Sequence, residues 1–105
     1  MMIRIVKMTF KLEEVEAFKA LFEAVKQKIL EQKGCQHLEL WQDKTNLNIL
    51  FTYSKWDSID ALNQYRNSDF FENTWKQTKS KFSEKPQAWS VDKLFMQSNN
   101  KSVKS

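Results

Sequence analysis

The sequence predicts an α+β domain, a four-stranded antiparallel sheet with its helices packed on one face. Three observations predict it. Strand-like and helix-like stretches follow in the order strand, helix, strand, strand, helix, strand, which such a sheet accommodates. Residues 11–32 carry one apolar stripe at helical spacing. The strand-like stretches carry large apolar residues on both faces, so the sheet face away from the helices also needs a cover.

Residues 2–10 alternate, with Val6, Met8 and Phe10 on one face and Ile3 and Ile5 on the other. In the helix over 11–32, Val15, Phe18, Phe22, Val25 and Ile29 step by three and four. Glu16, Lys19, Glu23 and Lys26 fall largely off that stripe and can pair along the solvent side. Gly34, the only glycine, stands where the helix must stop, because glycine reaches positive φ without a steric penalty. A second strand over 36–42 alternates His37, Glu39 and Trp41 against Leu38 and Leu40. Turn residues at 43–46 join it to a third strand over 48–56, where Ile49, Leu50, Phe51 and Tyr53 are apolar in near succession. Asp57 or Ser58 caps a short helix through Arg66, with Ile59, Leu62 and Tyr65 inward, and Ser68 caps its restart after a break near Asn67. Phe71, Trp75, Thr78 and Phe82 form the inner stripe of that segment. Pro86 ends it, and a last strand over 87–95 alternates Trp89, Val91 and Phe95 against Ser90 and Asp92.

The 105 residues suffice for one domain, expected over 1–96, followed by a polar tail over 97–105. Four Trp and eight Phe are many for this length; such rings fill a core and also line cavities and subunit interfaces. A symmetric second copy would cover the apolar outer sheet face, so a homodimer is expected. The net charge of +4 is not spread evenly. From residue 76 onward seven Lys stand against Glu84 and Asp92, which leaves the first seventy-five residues slightly acidic. This is a solvated late-chain feature rather than a nucleic-acid surface, and no nucleic-acid partner is expected. RNA-binding domains of this strand order also need glycines beside aromatics on a central strand, and residues 48–56 have none. A single cysteine, a first segment that reads as a strand rather than a secretory leader, and the lack of any membrane-length apolar run lead us to expect a cytoplasmic protein without a membrane partner. One His, one Cys and scattered carboxylates offer no metal cluster, and a single glycine rules out a glycine-rich phosphate loop.

Several stretches resemble the antibiotic biosynthesis monooxygenase (ABM) family: Ile3-Arg4-Ile5-Val6-Lys7-Met8, Gly34-Cys35, Phe51-Thr52-Tyr53-Ser54-Lys55-Trp56-Asp57-Ser58 and Tyr65-Arg66-Asn67-Ser68-Asp69-Phe70-Phe71. The resemblance spans residues 2–95. It implies a ferredoxin-like protomer in a dimeric α+β barrel, two sheets packed face to face, with a pocket in each protomer between the helices and its own sheet. Some members oxygenate reduced polycyclic aromatics or quinols with no metal or organic cofactor; others bind and degrade haem. The haem branch uses an Asn on the first strand, a Trp in the second helical region and an axial His. At those positions this chain resembles the branch poorly, with Val6, Tyr65 and Trp75. Indole nitrogen only donates hydrogen bonds, so haem chemistry of that kind is not expected.

The resemblance therefore implies a cofactor-independent monooxygenase acting on a small aromatic or quinol-like compound with O2. The alternative is a non-catalytic small-molecule-binding or structural dimer of the same fold. Oxygenation without a cofactor asks the protein to bind a flat apolar molecule, to favour its deprotonation and to exclude water. Tyr65, Phe71 and Trp75 are expected to share one inward surface and, with Val6 and Tyr53, are the pocket candidates. The same rings could equally be closed core. His37, the only histidine, and Tyr65 are the catalytic candidates. His37 shares a strand face with Glu39 and Trp41, and if that face meets a partner it is structural. Cys35, with no His or second Cys nearby in the chain, reads as a small buried residue rather than a nucleophile.

Overall fold

The computed structural model describes residues 1–99; the part of the expected polar tail from residue 100 onward lies outside the described residues. Four strands, β1 (Met2–Thr9), β2 (Cys35–Gln42), β3 (Ile49–Trp56) and β4 (Gln87–Val91), form one sheet in the order β2-β3-β1-β4. All three neighbouring pairs are antiparallel. Three helices, α1 (Val15–Leu30), α2 (Ile59–Arg66) and α3 (Asp69–Lys79), complete an α+β ferredoxin-like fold. Among the described residues no helix is long and apolar enough to cross a membrane.

Local chemistry sets the joints. Gly34 has φ +86°, and a Cβ built on it would stand 2.5 Å from the Cβ of Ala61. Glycine is thus required twice there, for the left-handed backbone that turns the chain into β2, four residues after α1 ends at Leu30, and for the close approach of α2. The Gly34 carbonyl then accepts from the Asp57 amide at 2.8 Å, which ties the start of β2 to the end of β3. In the hairpin, Asp43 Oδ2 accepts from the amides of Thr45 (3.0 Å) and Asn46 (2.7 Å), a side-chain turn that fixes its direction. Of the two residues offered to cap α2, Ser58 does so, its Oγ accepting from Ala61 N at 3.1 Å. Ser68 Oγ accepts from Phe71 N at 3.1 Å and restarts the helix as α3.

Three boundaries differ from the periodicity. The first helical segment opens with a 3-10 turn (Leu12–Glu14), and α1 proper starts at Val15. Phe82 continues the spacing of α3 but lies beyond it. The backbone over 81–83 pairs instead with that over 9–11, through Lys11 N to Lys81 O and Ser83 N to Thr9 O, both 2.9 Å, and Phe82 meets Phe10 at a tilt, with centroids 5.2 Å apart. The last strand stops at Val91 rather than 95. Val91 lies opposite Ile3, one residue from the start of β1, so the ladder has run out of partner residues. Leu94 and Phe95 are exposed.

Strand parity divides the sheet. Val6, Met8, Leu50 and Trp56 face the helices, where Phe10, Val15, Phe18 and Leu50 build the core. Phe10 and Trp56 are at most 1% exposed. Ile5, Trp41, Phe51, Tyr53 and Trp89 occupy the alternate positions and face away.

Candidate functional site

Between the helices and the sheet lies a cavity of about 280 Å³. Its floor comes from β1 and β3, where Val6, Thr52 and Trp56 share one face. Phe18 and Phe22 of α1 form one wall, and Tyr65, Phe71 and Trp75 of α2 and α3 the other. The rings are ordered by contact: Trp56 stacks on Tyr65 (centroids 5.1 Å, 21°), Tyr65 meets Phe71 edge-on at 5.0 Å, and Phe71 stacks on Trp75 (5.9 Å, 13°). These spacings are the favourable ones for offset and edge-to-face pairs, so the wall is a fitted surface. The indole of Trp56 donates to Ser54 Oγ at 3.0 Å, which satisfies its polar end below the floor.

The cavity reaches solvent beside Arg66, which is exposed and lines both it and a shallower adjoining depression. Arg4 lines the cavity from the floor and donates from Nη1 to Ser90 Oγ at 3.0 Å. Burial holds the Arg4 guanidinium below its usual pKa, and the positive charge of Arg66 adds to the effect. Burial pushes the Tyr65 phenol well above the ordinary tyrosine value, with a smaller contribution from Cys35, so its hydroxyl stays protonated near neutrality and can donate a hydrogen bond. Among the described residues, no Asp, Glu, His, Cys or Lys lines this cavity.

Of the five pocket candidates, the structure brings together Val6, Tyr65, Phe71 and Trp75. Tyr53 departs from that expectation. It is one residue out of phase with Thr52 and Ser54 on β3, and so points to the opposite sheet face. His37 is on that face too. It meets Tyr53 edge-on at 6.0 Å, and its Nε2 pairs with Glu39 Oε2. Trp41 Nε1 donates to Glu39 Oε1 at 2.7 Å, and the Trp41 ring stacks on Tyr53 at 5.0 Å. Hydrogen bonds from His37 first, then Trp41, hold the Glu39 carboxyl below the usual carboxylate range. His37 is thus absorbed in a surface cluster with the sheet between it and the cavity. The Cys35 thiol, raised by burial, points its Sγ to the His37 carbonyl at 3.9 Å.

Arg4, Thr52, Trp56 and Arg66 are among the further lining residues that the sequence reading did not offer as pocket candidates. Parity could have found three, since Arg4 shares its face with Val6, while Thr52 and Trp56 lie two and six positions along from Leu50. Arg66 carries only its adjacency to Tyr65. For haem, the residues do not fit. Neither His nor Cys is among the described lining residues, and the indole of Trp75 is a hydrogen-bond donor only.

The sequence profile of the family described as Antibiotic biosynthesis monooxygenase matches residues 1–77. A comparison with curated proteins gives no significant match. Among solved structures, an antibiotic biosynthesis monooxygenase superposes with a TM-score of 0.84 at 15% identity, covering 90% of this chain and 99% of its own. A conserved protein from Methanosarcina mazei Go1 gives 0.81 at 25% identity, with 88% and 92% covered. Rv0793 from Mycobacterium tuberculosis gives 0.82 at 18% identity, with 92% and 98% covered.

Proposed function

Because the chain belongs to the antibiotic biosynthesis monooxygenase family, we propose that it is a cofactor-independent monooxygenase that oxidises a small aromatic or quinol-like compound with O2. The observation that carries this reading is the cavity walled by Trp56, Tyr65, Phe71 and Trp75, which suits a flat apolar molecule and opens at one rim. Its volume, about 280 Å³, falls just under the roughly 300–1,000 Å³ common for ligand pockets and favours two or three fused rings.

In such a reaction the substrate is its own reductant. Its anion passes electrons to O2, and a ring carbon binds oxygen as a peroxide. One oxygen atom stays as the new carbonyl. The other leaves as water with two hydrogens of the substrate, both from that carbon in an anthrone, one from it and one from a ring hydroxyl in a naphthalenediol. The protein's share is to favour the anion, align the ring and keep bulk water from the peroxide. No carboxylate or imidazole stands among the described lining residues to act as base. The substrate's acidic proton therefore passes to water at the rim, and the Tyr65 hydroxyl, held protonated, donates to the substrate oxygen. Tyr65→Phe is expected to lower kcat/KM by roughly tenfold to a hundredfold, while His37→Ala leaves it unchanged.

The chain is proposed to act as a homodimer. The sheet face opposite the cavity leaves Trp41 40% and Trp89 44% exposed, a poor surface to leave to water and a good one to pair with its own copy. The test of function is oxygen uptake over a panel of naphthalenediols and anthrones, with chelator present and no flavin added. Uptake above background, with one O2 consumed per product, supports the proposal. Background rates across the panel, together with retained ligand binding, would leave a small-molecule-binding module instead.

A further inference from the structure

The cavity combines apolar walls with two guanidinium groups, Arg4 on the floor and Arg66 at the rim. Among the described residues neither takes part in an ion pair, and Arg4 donates to a neutral hydroxyl, Ser90 Oγ, at 3.0 Å. Two like charges gathered at one site repel each other, and partial burial strips Arg4 of some of its hydration. An anion between them would reverse both effects. The adjoining depression points the same way: it shares Arg66, Phe71 and Trp75 with the cavity and adds Lys76 and Lys79, with Glu72 as its one acid among the described residues. An approaching ligand thus meets a basic rim before an aromatic interior, an arrangement that draws anions inward.

We propose that Arg4 and Arg66 form an anion-receiving subsite, so that the ligand of this cavity is a flat aromatic bearing an ionised oxygen. That oxygen is either a carboxylate substituent or the ring's own hydroxyl. The guanidinium fork suits two-oxygen recognition, and Arg keeps its charge where Lys would lose it on burial. This inference rests on the cavity being a ligand site, as proposed above, but not on oxygenation. It also supplies what the cavity lacks, since a pair of fixed positive charges favours the substrate anion without any base.

The test uses ligands that cannot be oxidised in the same way, so that binding is read apart from catalysis. In one arm, calorimetry compares 2-naphthoate with 2-naphthamide, equal in shape and different in charge. In the other, the visible band of a nitronaphthol is titrated with pH, free and bound. A roughly tenfold or larger preference for naphthoate, or a downward shift in the apparent pKa of the bound nitronaphthol, is expected. Either effect should vanish in Arg66→Gln and weaken less in Arg66→Lys. Lys19→Gln, an exposed charge on α1 paired with Glu16, should leave both unchanged and so excludes a general field effect. Arg66 is exposed, so its variants are expected to fold, which circular dichroism checks. Preference in the first arm alone assigns the carboxylate; a shift in the second alone assigns the ring hydroxyl. Equal binding of naphthoate and naphthamide with no pKa shift would overturn the subsite and leave the cavity reading standing. Binding of none of these probes would overturn both.

Discussion

The two faces of this sheet are built from the same strands, and alternate residues give them opposite chemistry. On the helix side, Val6, Thr52 and Trp56 line a cavity whose only charges among the described residues are Arg4 and Arg66. On the far side, His37, Glu39 and Trp41 are hydrogen-bonded to one another and lie among exposed rings. Of the two groups that look catalytic in the sequence, His37 is on the face without a cavity and Tyr65 on the face with it. The face with the cavity holds instead a protonated phenol and two guanidiniums. A lone histidine in a small chain is thus a poor guide to a site when the chemistry can be driven by the ligand's own acidity.

The comparison can be broken most directly by truncating one tryptophan on each face. Trp56→Ala removes a side chain that is 1% exposed and should destabilise the chain by about 3–5 kcal/mol. Trp89→Ala removes one that is 44% exposed and should cost less than about 1 kcal/mol in dilute protein. Urea unfolding of the two variants side by side reads the difference; equal losses would mean that the faces are not distinct.

A charge on the outer face sharpens the contrast. In the proposed homodimer, Trp41→Lys with Trp89→Lys should raise the dissociation constant at least about tenfold by placing like charges on the sheet face taken to pair. Light scattering should then report a monomer mass, with ligand binding in the cavity retained. A smaller effect is expected from alkali. Tyr65 has a folded pKa above the ordinary tyrosine value of 10.0, so the stability tied to its protonated state is full below that pH. It is lost as pH rises from about 10 towards the folded value, where the unfolded chain releases the proton first. Melting temperatures of the wild type should fall more steeply above pH 10 than those of Tyr65→Phe.

Much of the fold was legible because backbone needs leave clear marks. Gly34 marks a positive φ, Ser58 and Ser68 mark helix starts, and the stripe from Val15 to Ile29 marks α1. The site was half legible. Tyr65, Phe71 and Trp75 follow helical spacing on adjoining segments, so they could be gathered before the structure. On β3, by contrast, Leu50, Phe51 and Tyr53 are apolar on both faces, and periodicity alone could not say which face meets the helices. Tyr53 was misplaced for that reason. Arg4, on the central strand β1, and Arg66, the last residue of α2, are distant in sequence and line one cavity through the fold, a fact of topology rather than of pattern.

The chain's four tryptophans divide evenly, Trp56 and Trp75 at the cavity and Trp41 and Trp89 on the opposite face. Their four indole N–H signals in a nitrogen-15 correlation spectrum therefore report on each face separately. Titration with 2-naphthoate should move the signals of Trp56 and Trp75 and leave those of Trp41 and Trp89 in place. Movement confined to Trp41 and Trp89 would put the ligand on the outer sheet face and contradict the cavity as the site of function.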